Sequence, residues 1–376
     1  MPAYYSATYH RKTPPLAAVR LAAVHQLPMV SWKTLRLLVD HRLYDRPLAD
    51  WSAAELVTIG VDPRLAARVI ERAWQLDLDR AEQQLNYLSV TIMTIHDSDY
   101  PAQLKEIASP PSVLYLRGSV EALQTPALAV VGTRQPSPHG QVITERLVGP
   151  VAQAGVIIVS GLAIGIDASA HRAALAAAGR TVAVLGTGID LTYPPEHRSL
   201  VEEIIAGGGT IVSEFPLGSP PERHHFPQRN RVIAGLARAT MLVEAGERSG
   251  ALITAKFAVE SNREVFAVPG SVLSPTSVGP NNWLKLGARP TTSSADLLEI
   301  YGAGQGSWLT APARIAPANE IEATLLSLLT VEPVHIDELV EKSRLDTSIV
   351  SATLALMEVN GKVRHLGGMF YTLEAP

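Results

Sequence analysis

From Ala127 to Val268 the chain repeats one texture: a short run rich in β-branched residues, then an Ala-rich stretch with helical spacing. The runs are Leu128 to Val131, Val156 to Val159, Thr181 to Leu185, Thr210 to Val212, Thr240 to Val243 and Glu264 to Val268. Strands joined by helical crossovers lie parallel, and their near-continuous apolar character requires cover on both faces. The reading is therefore an α/β chain with an extended Rossmann-like, doubly wound, mostly parallel sheet over residues 86–301.

The flanks read differently. Residues 1–15 are polar, carry a Pro pair and have no periodicity, so a flexible arm is expected. Residues 16–85 keep helical spacing between short breaks such as Leu27-Pro28, Asp45-Arg46-Pro47 and Ile59-Gly60-Val61-Asp62-Pro63, the pattern of a small helical domain. A Gly-, Pro- and Ala-rich linker is expected over 302–318. Residues 319–376 read as helices at Glu320 to Leu329, Ile336 to Glu341 and Ser348 to Val359, then a hairpin around Gly367-Gly368: a winged helix.

Charge decides where a nucleic acid could be held. The 376 residues carry a formal net charge of −4, so any attraction to phosphate must be local. Basic and acidic residues number 12 and 12 over 1–109, 15 and 15 over 110–300, and 4 and 9 over 319–376. The winged helix is thus acidic. Its third helix, Thr347 to Asn360, has no Lys or Arg and would turn Glu358 toward phosphates, so it is not expected to read a groove. With no cysteine there is no disulfide, thiolate metal site or cysteine nucleophile. The absence of a long apolar run or a charged-then-apolar leader leads us to expect a cytoplasmic protein with no membrane insertion.

The loops after the strands carry the functional signal. The first strand runs into Gly132-Thr133-Arg134 and the second into Ser160-Gly161-Leu162-Ala163-Ile164-Gly165-Ile166-Asp167. In an open parallel sheet, ligands sit beyond the strand C-termini, where helix N-termini offer free N–H groups. Gly132, Gly161 and Gly165 would let a phosphate approach the backbone, and Arg134 supplies a planar fork of donors. Each glycine alone is equally a packing residue; with Arg134 at the same rim, the functional reading moves ahead. Asp167 and His171 could be a metal pair, an acid–base pair or a simple i,i+4 contact, and the contact is preferred.

The densest cluster is Arg223-His224-His225-Phe226-Pro227-Gln228-Arg229-Asn230-Arg231, placed just before a helix expected over Val232 to Arg238. An exposed Phe226 can stack on a base while Arg229 and Arg231 neutralise phosphates; the alternative puts Phe226 in the core. After the fifth strand, Ser249 and Gly250 sit where a helix cap would be, with Thr254 and Lys256 within about two turns. The glycine loop Gly186 to Pro195 has no Lys or Arg and reads as a tight turn before a Pro-started helix.

The strings SGLAIGIDASAH, FPQRNRVIAGLA, EAGERSGALITAKFA and FAVPG followed by GPNNWLKLGA resemble the DNA-processing protein A family, also called Smf, from about Leu114 to Ile300. The resemblance implies a Rossmann fold that binds single-stranded DNA, dimerises and helps load the RecA recombinase during natural transformation. Its motif residues fall on Gly132 to Arg134, Ser160 to Asp167 and Phe226 to Arg231, Asn230 included. It also implies dimer contacts late in the Rossmann domain, which places Trp283, Leu284 and Leu286 as candidates. Residues 16–80 look like a sterile-alpha-motif or helix-hairpin-helix unit. Gly60 there resembles a hairpin glycine, but Leu27 to Ser31 lacks one, so packing or a partner is expected rather than duplex binding.

The expectation is a strand-binding mediator with no catalytic residue, metal or cofactor. The rival is an enzyme, a nucleotide phosphoribohydrolase-like protein acting on a mononucleotide with Glu244, Glu214 or Asp167 as its carboxylate.

Overall fold

The computed structural model describes residues 14–302, 317–330 and 332–373. Residues 1–13 of the expected arm and 303–316 of the expected linker lie outside the described residues.

Five helices lead the chain: α1 (Leu16–His25), α2 (Trp32–Asp40), α3 (Ala53–Thr58), α4 (Pro63–Ala73) and α5 (Leu78–Leu88). Their starts are written in the sequence. Ser31 and Asp77 accept from backbone N–H groups of the first turns they precede, and Asp62 does so ahead of Pro63, whose missing N–H costs nothing there. Gly60 turns the chain between α3 and α4 at φ +103°, a conformation open to glycine. These helices share a continuous apolar core with one face of the sheet, and His25 reaches Tyr115 at 2.8 Å.

The strands are β1 (Thr91–Thr94), β2 (Val113–Gly118), β3 (Ala127–Val131), β4 (Ile157–Ser160), β5 (Thr181–Val184), β6 (Thr210–Ser213), β7 (Ala239–Leu242), β8 (Glu264–Ala267) and β9 (Arg289–Pro290). They form one sheet in the order β1-β2-β6-β5-β4-β3-β7-β8-β9. From β6 to β9 every neighbouring pair is parallel, while β1 and β2 add an antiparallel edge. All six strands expected from the repeating texture are present; β1, β2 and β9 fall outside that texture and extend the sheet at its two ends.

The intervening helices are α6 (Ala102–Lys105), α7 (Pro138–Gln153), α8 (Ile166–Ala176), α9 (Arg198–Ala206), α10 (His225–Leu236), α11 (Ala251–Glu260), α12 (Val278–Lys285) and α13 (Ser294–Leu298). Side chains alternate along the strands. Leu128 and Val130 of β3 pack with Leu147 and Val151 of α7 and Ala170 of α8, whereas Ala129 and Val131 join the opposite core with Val232 and Ile233 of α10. Strand order turns back between β3 and β7: β3 to β6 step one way and β7 to β9 the other. The loops leaving β3 and β7 therefore part, opening a crevice at the strand C-termini.

The C-terminal part has its own core of Leu325, Leu339, Val350, Leu354, Met357 and Tyr371. It contains α14 (Glu320–Leu328), β10 (Val334–His335), α15 (Ile336–Ser343), α16 (Thr347–Val359), β11 (Val363–His365) and β12 (Phe370–Leu373), with strand order β10-β12-β11. This is a winged helix, as expected, with β10 as a further short strand beside the hairpin.

Candidate nucleic-acid interface

The crevice at the switch point is a cleft of about 730 Å³. Five loops supply its walls: Gly132 and Arg134 after β3, Ala163 and Asp167 after β4, Tyr193 after β5, Arg223 and Phe226 after β6, and Ser249, Gly250 and Thr254 after β7. Residues far apart in the chain thus meet because each follows a strand of one parallel sheet.

Close approach of the loops fixes the glycines. A β-carbon on Gly132 would stand 2.5 Å from Ile166, and one on Gly165, at φ +87°, would stand 2.4 Å from the Thr133 carbonyl. Thr133 donates its N–H to the Glu244 carbonyl at 2.7 Å and its own carbonyl accepts from Ile166 N–H at 3.2 Å, tying the β3, β4 and β7 loops together. Gly250 is different: nothing crowds it, and it opens α11 on the cleft wall. Ser249 is not the cap residue itself, since Gly250 holds that position; its Oγ accepts from Ala251 N–H at 3.4 Å.

The helix expected to begin at Val232 begins at His225, because a proline in the first turn, here Pro227, is compatible with it. The arginine cluster therefore lies on helix faces and its members part. Arg229 turns inward and is 4% exposed. Its Nη1 donates to the Gly161 carbonyl at 2.7 Å and to the Val184 carbonyl, and Nε donates to Asn230 at 3.2 Å. Burial lowers its pKa to about 10, opposed by Asp167. Burial likewise raises the pKa of Asp167, opposed by Arg229 and by N–H donation from Gly161 and Ala163. Arg231 pairs with Glu214, both largely buried, and does not line the cleft. Asn230 Nδ2 donates to the Gly250 carbonyl at 3.2 Å, fastening α10 to the start of α11.

Other expected residues divide in the same way. Ser160 is buried and its hydroxyl donates to the Val130 carbonyl at 2.6 Å. Thr254 is buried at the cleft wall. Lys256 is 72% exposed, lies off the cleft lining and faces Glu260 at 3.7 Å. Neither a hydrogen bond nor an ion pair joins Asp167 to His171: Asp167 accepts from the Gly161 and Ala163 N–H groups, and His171 meets Thr181 Oγ1 at 2.7 Å. Trp283 and Leu284 of α12 are half-buried, Trp283 against the core, while Leu286 is exposed.

The free cations at the cleft are Arg134 and Arg223, both exposed and neither in an ion pair among the described residues. The Arg134 guanidinium lies 5.7 Å from the Phe226 ring centroid, within cation–π range. Arg223 and Tyr193 are not among the candidates that sequence reasoning brings forward. For Arg223 the signal was its place beside His224 in the basic cluster; the uncharged loop of Tyr193 offered none. Near the mouth, Glu222, His224 and His225 bring possible ligand atoms within 4.8 Å of one another, but His225 is stacked on Phe215 at 4.1 Å. Exposed guanidinium groups, an aromatic wall and glycine-lined loops together suit a phosphodiester carrying bases.

Residues 91–302 match the family described as DNA recombination-mediator protein A, and residues 310–369 match the DprA winged helix domain. Protein Smf of Synechocystis sp. is 42% identical over 315 residues, 74% of this chain and 79% of that protein. DNA processing protein DprA of Streptococcus pneumoniae is 40% identical over 238 residues, 63% and 83% of the two chains. The X-ray structure of the S. pneumoniae protein superposes with TM-score 0.64 at 34% identity, covering 77% of this chain and 98% of that one. DNA processing protein A of Helicobacter pylori, whose structure describes a single-stranded DNA binding mode, gives TM-score 0.51 at 28% identity, covering 56% and 95%.

Proposed function

The chain belongs to the DNA recombination-mediator protein A family, and from that premise we propose that it binds single-stranded DNA in the switch-point cleft as a recombination mediator. The observation that carries this reading is the exposed Arg134 fork held over Phe226 at the mouth of the cleft. A guanidinium so placed meets phosphate oxygens while the ring beside it meets a base, which is how strands are held without sequence readout. Arg223 adds a second free cation, and Gly132, Ser249, Gly250 and Thr254 form the wall along which the backbone lies, with Thr133 and Gly165 tying the loops together behind it. Arg229 and Asn230 also line the cleft, and with Ser160, Gly161 and Arg231 behind it they hold the loops in register.

In this role the protein works in the cytoplasm, protects incoming strands and helps load RecA recombinase in natural transformation and in repair. No helix among the described residues is long and apolar enough to cross a membrane. It acts as a homodimer through α12, with Leu286 in the contact. The acidic winged helix and the N-terminal helices serve packing or protein contacts.

Strand binding needs no catalytic residue. The carboxylates an enzyme could use are engaged: Asp167 with two amides beside Arg229, Glu244 with Ser137, and Glu214 with Arg231. Ligand length separates the two readings. Affinity that rises with oligo-dT length, with no measurable binding of a mononucleotide, is the expected result; tight binding and cleavage of a mononucleotide would replace this reading with the hydrolase.

A further inference from the structure

We infer that Glu222, His224 and His225 form a zinc-binding site at the lip of the cleft, a role that strand binding does not require of them. Among the described residues they are the one group of three such side chains whose ligand atoms lie within 4.8 Å of one another. Glu222 Oε2 and His224 Nδ1 are already 3.3 Å apart. A tetrahedral zinc with ligands at about 2.0–2.1 Å sets neighbouring ligand atoms about 3.3 Å apart, so one edge of the site is in place and the others need only small side-chain rotations.

The backbone shapes the segment. Glu222 N–H donates to the Pro220 carbonyl at 2.9 Å and His225 N–H to the Glu222 carbonyl at 3.0 Å, a tight turn that brings positions 222, 224 and 225 together. Phe215 stacks on the His225 ring at 4.1 Å, and His224 meets it edge-on at 4.5 Å. Stacking fixes the plane of the ring and leaves the nitrogens at its edge. His225 Nδ1 is buried with no hydrogen-bond partner among the described residues, which costs stability, and ligation through that atom removes the cost. The donor set selects the ion: two imidazoles and a carboxylate suit Zn²⁺, whereas Mg²⁺ and Ca²⁺ take oxygen ligands. Arg223 and Phe226, which line the cleft, alternate with these ligands along the chain. The ion therefore ties the loop that carries Arg223 to the first turn of α10.

The test titrates the untagged full-length protein with Zn²⁺ alone against a chromophoric chelator. Wild type is expected to take up one zinc per chain. Glu222→Gln and His224→Ala, both at exposed positions where the fold tolerates change, are expected to bind it about tenfold or more weakly, while His96→Ala, an exposed histidine paired with Asp40, binds as wild type does. Saturating zinc should raise the melting temperature of wild type and leave that of His224→Ala where it was. Failure of the wild type to compete with the chelator overturns the site. So does zinc bound with unchanged affinity by both Glu222→Gln and His224→Ala, which would place the metal on other residues.

Discussion

Arg229 and Gly161 form one unit: the arginine donates to the glycine carbonyl at 2.7 Å, and a β-carbon on that glycine would lie 2.6 Å from the guanidinium. The pair closes the base of the cleft from inside. Removing the buried guanidinium leaves two carbonyls and Asp167 without their partner, so Arg229→Ala is expected to cost about 3 kcal/mol of folding stability. Exposed Arg134→Ala should stay within about 0.5 kcal/mol of wild type. Urea denaturation checks the contrast; equal midpoints for the two variants would remove Arg229 from the framework.

Two buried histidines make stability fall in mild acid. Thr181 Oγ1 donates to the Ile158 carbonyl, so His171 Nδ1 carries the proton toward Thr181, and Nε2 is left buried and unpartnered. Burial lowers the pKa of His171 and of His25 to about 3. The unfolded chain binds protons near pH 6.5 and the folded chain does not until about 3, so the unfolded state gains as pH drops between those values. Each histidine contributes about 1.4 kcal/mol per pH unit in that window. Denaturation at about pH 7.5, 6 and 5 should give a slope that His171→Asn reduces by that amount; an unchanged slope would mean His171 accepts its proton while folded.

Much of this arrangement is legible in the sequence, and the parts that are not have physical causes. The buried parallel strands declare themselves through β-branched runs, and the glycine loops through position. β9 has two residues, too few for any period, and β1, Thr91–Thr94, mixes polar and apolar positions at an edge. The arginine cluster misleads because composition carries no direction. Once the helix starts at His225, Phe226, Arg229 and Ile233 share one face at helical spacing, and Arg229 is drawn in with Ile233. Tyr193 arrives from a loop without charge, placed by the sheet rather than by any local motif.

The winged helix should be dispensable for holding the strand. α16 offers no Lys or Arg, and it exposes Ile349, Leu356 and Val359 instead. Two of the basic residues around it, Lys342 and Lys362, are paired with Glu338 and Glu322. A chain ending near residue 302 is expected to bind oligo-dT within about two-fold of full length at equal salt, since it keeps every cation assigned to the phosphates. A drop in affinity of about tenfold or more would place phosphate-binding groups on the winged helix.

Association is expected through α12. Leu286 is 77% exposed beside half-buried Trp283, a surface that water covers poorly. Leu286→Asp should shift sedimentation from dimer toward monomer without lowering the melting temperature. A wild-type monomer, or a variant that stays dimeric, would remove this face from the assembly.

The most direct test of the strand site is the salt dependence of oligo-dT binding in wild type, in Arg134→Ala with Arg223→Ala, and in Lys256→Ala. Each cation that neutralises a phosphate of a single strand steepens the salt dependence, so removing both arginines should lower the slope of log K against log salt by about 1.4. Lys256→Ala, off the cleft and beside Glu260, should leave that slope unchanged. A double variant with the wild-type slope, or a slope that falls only with Lys256, would contradict the placement of the strand in the switch-point cleft.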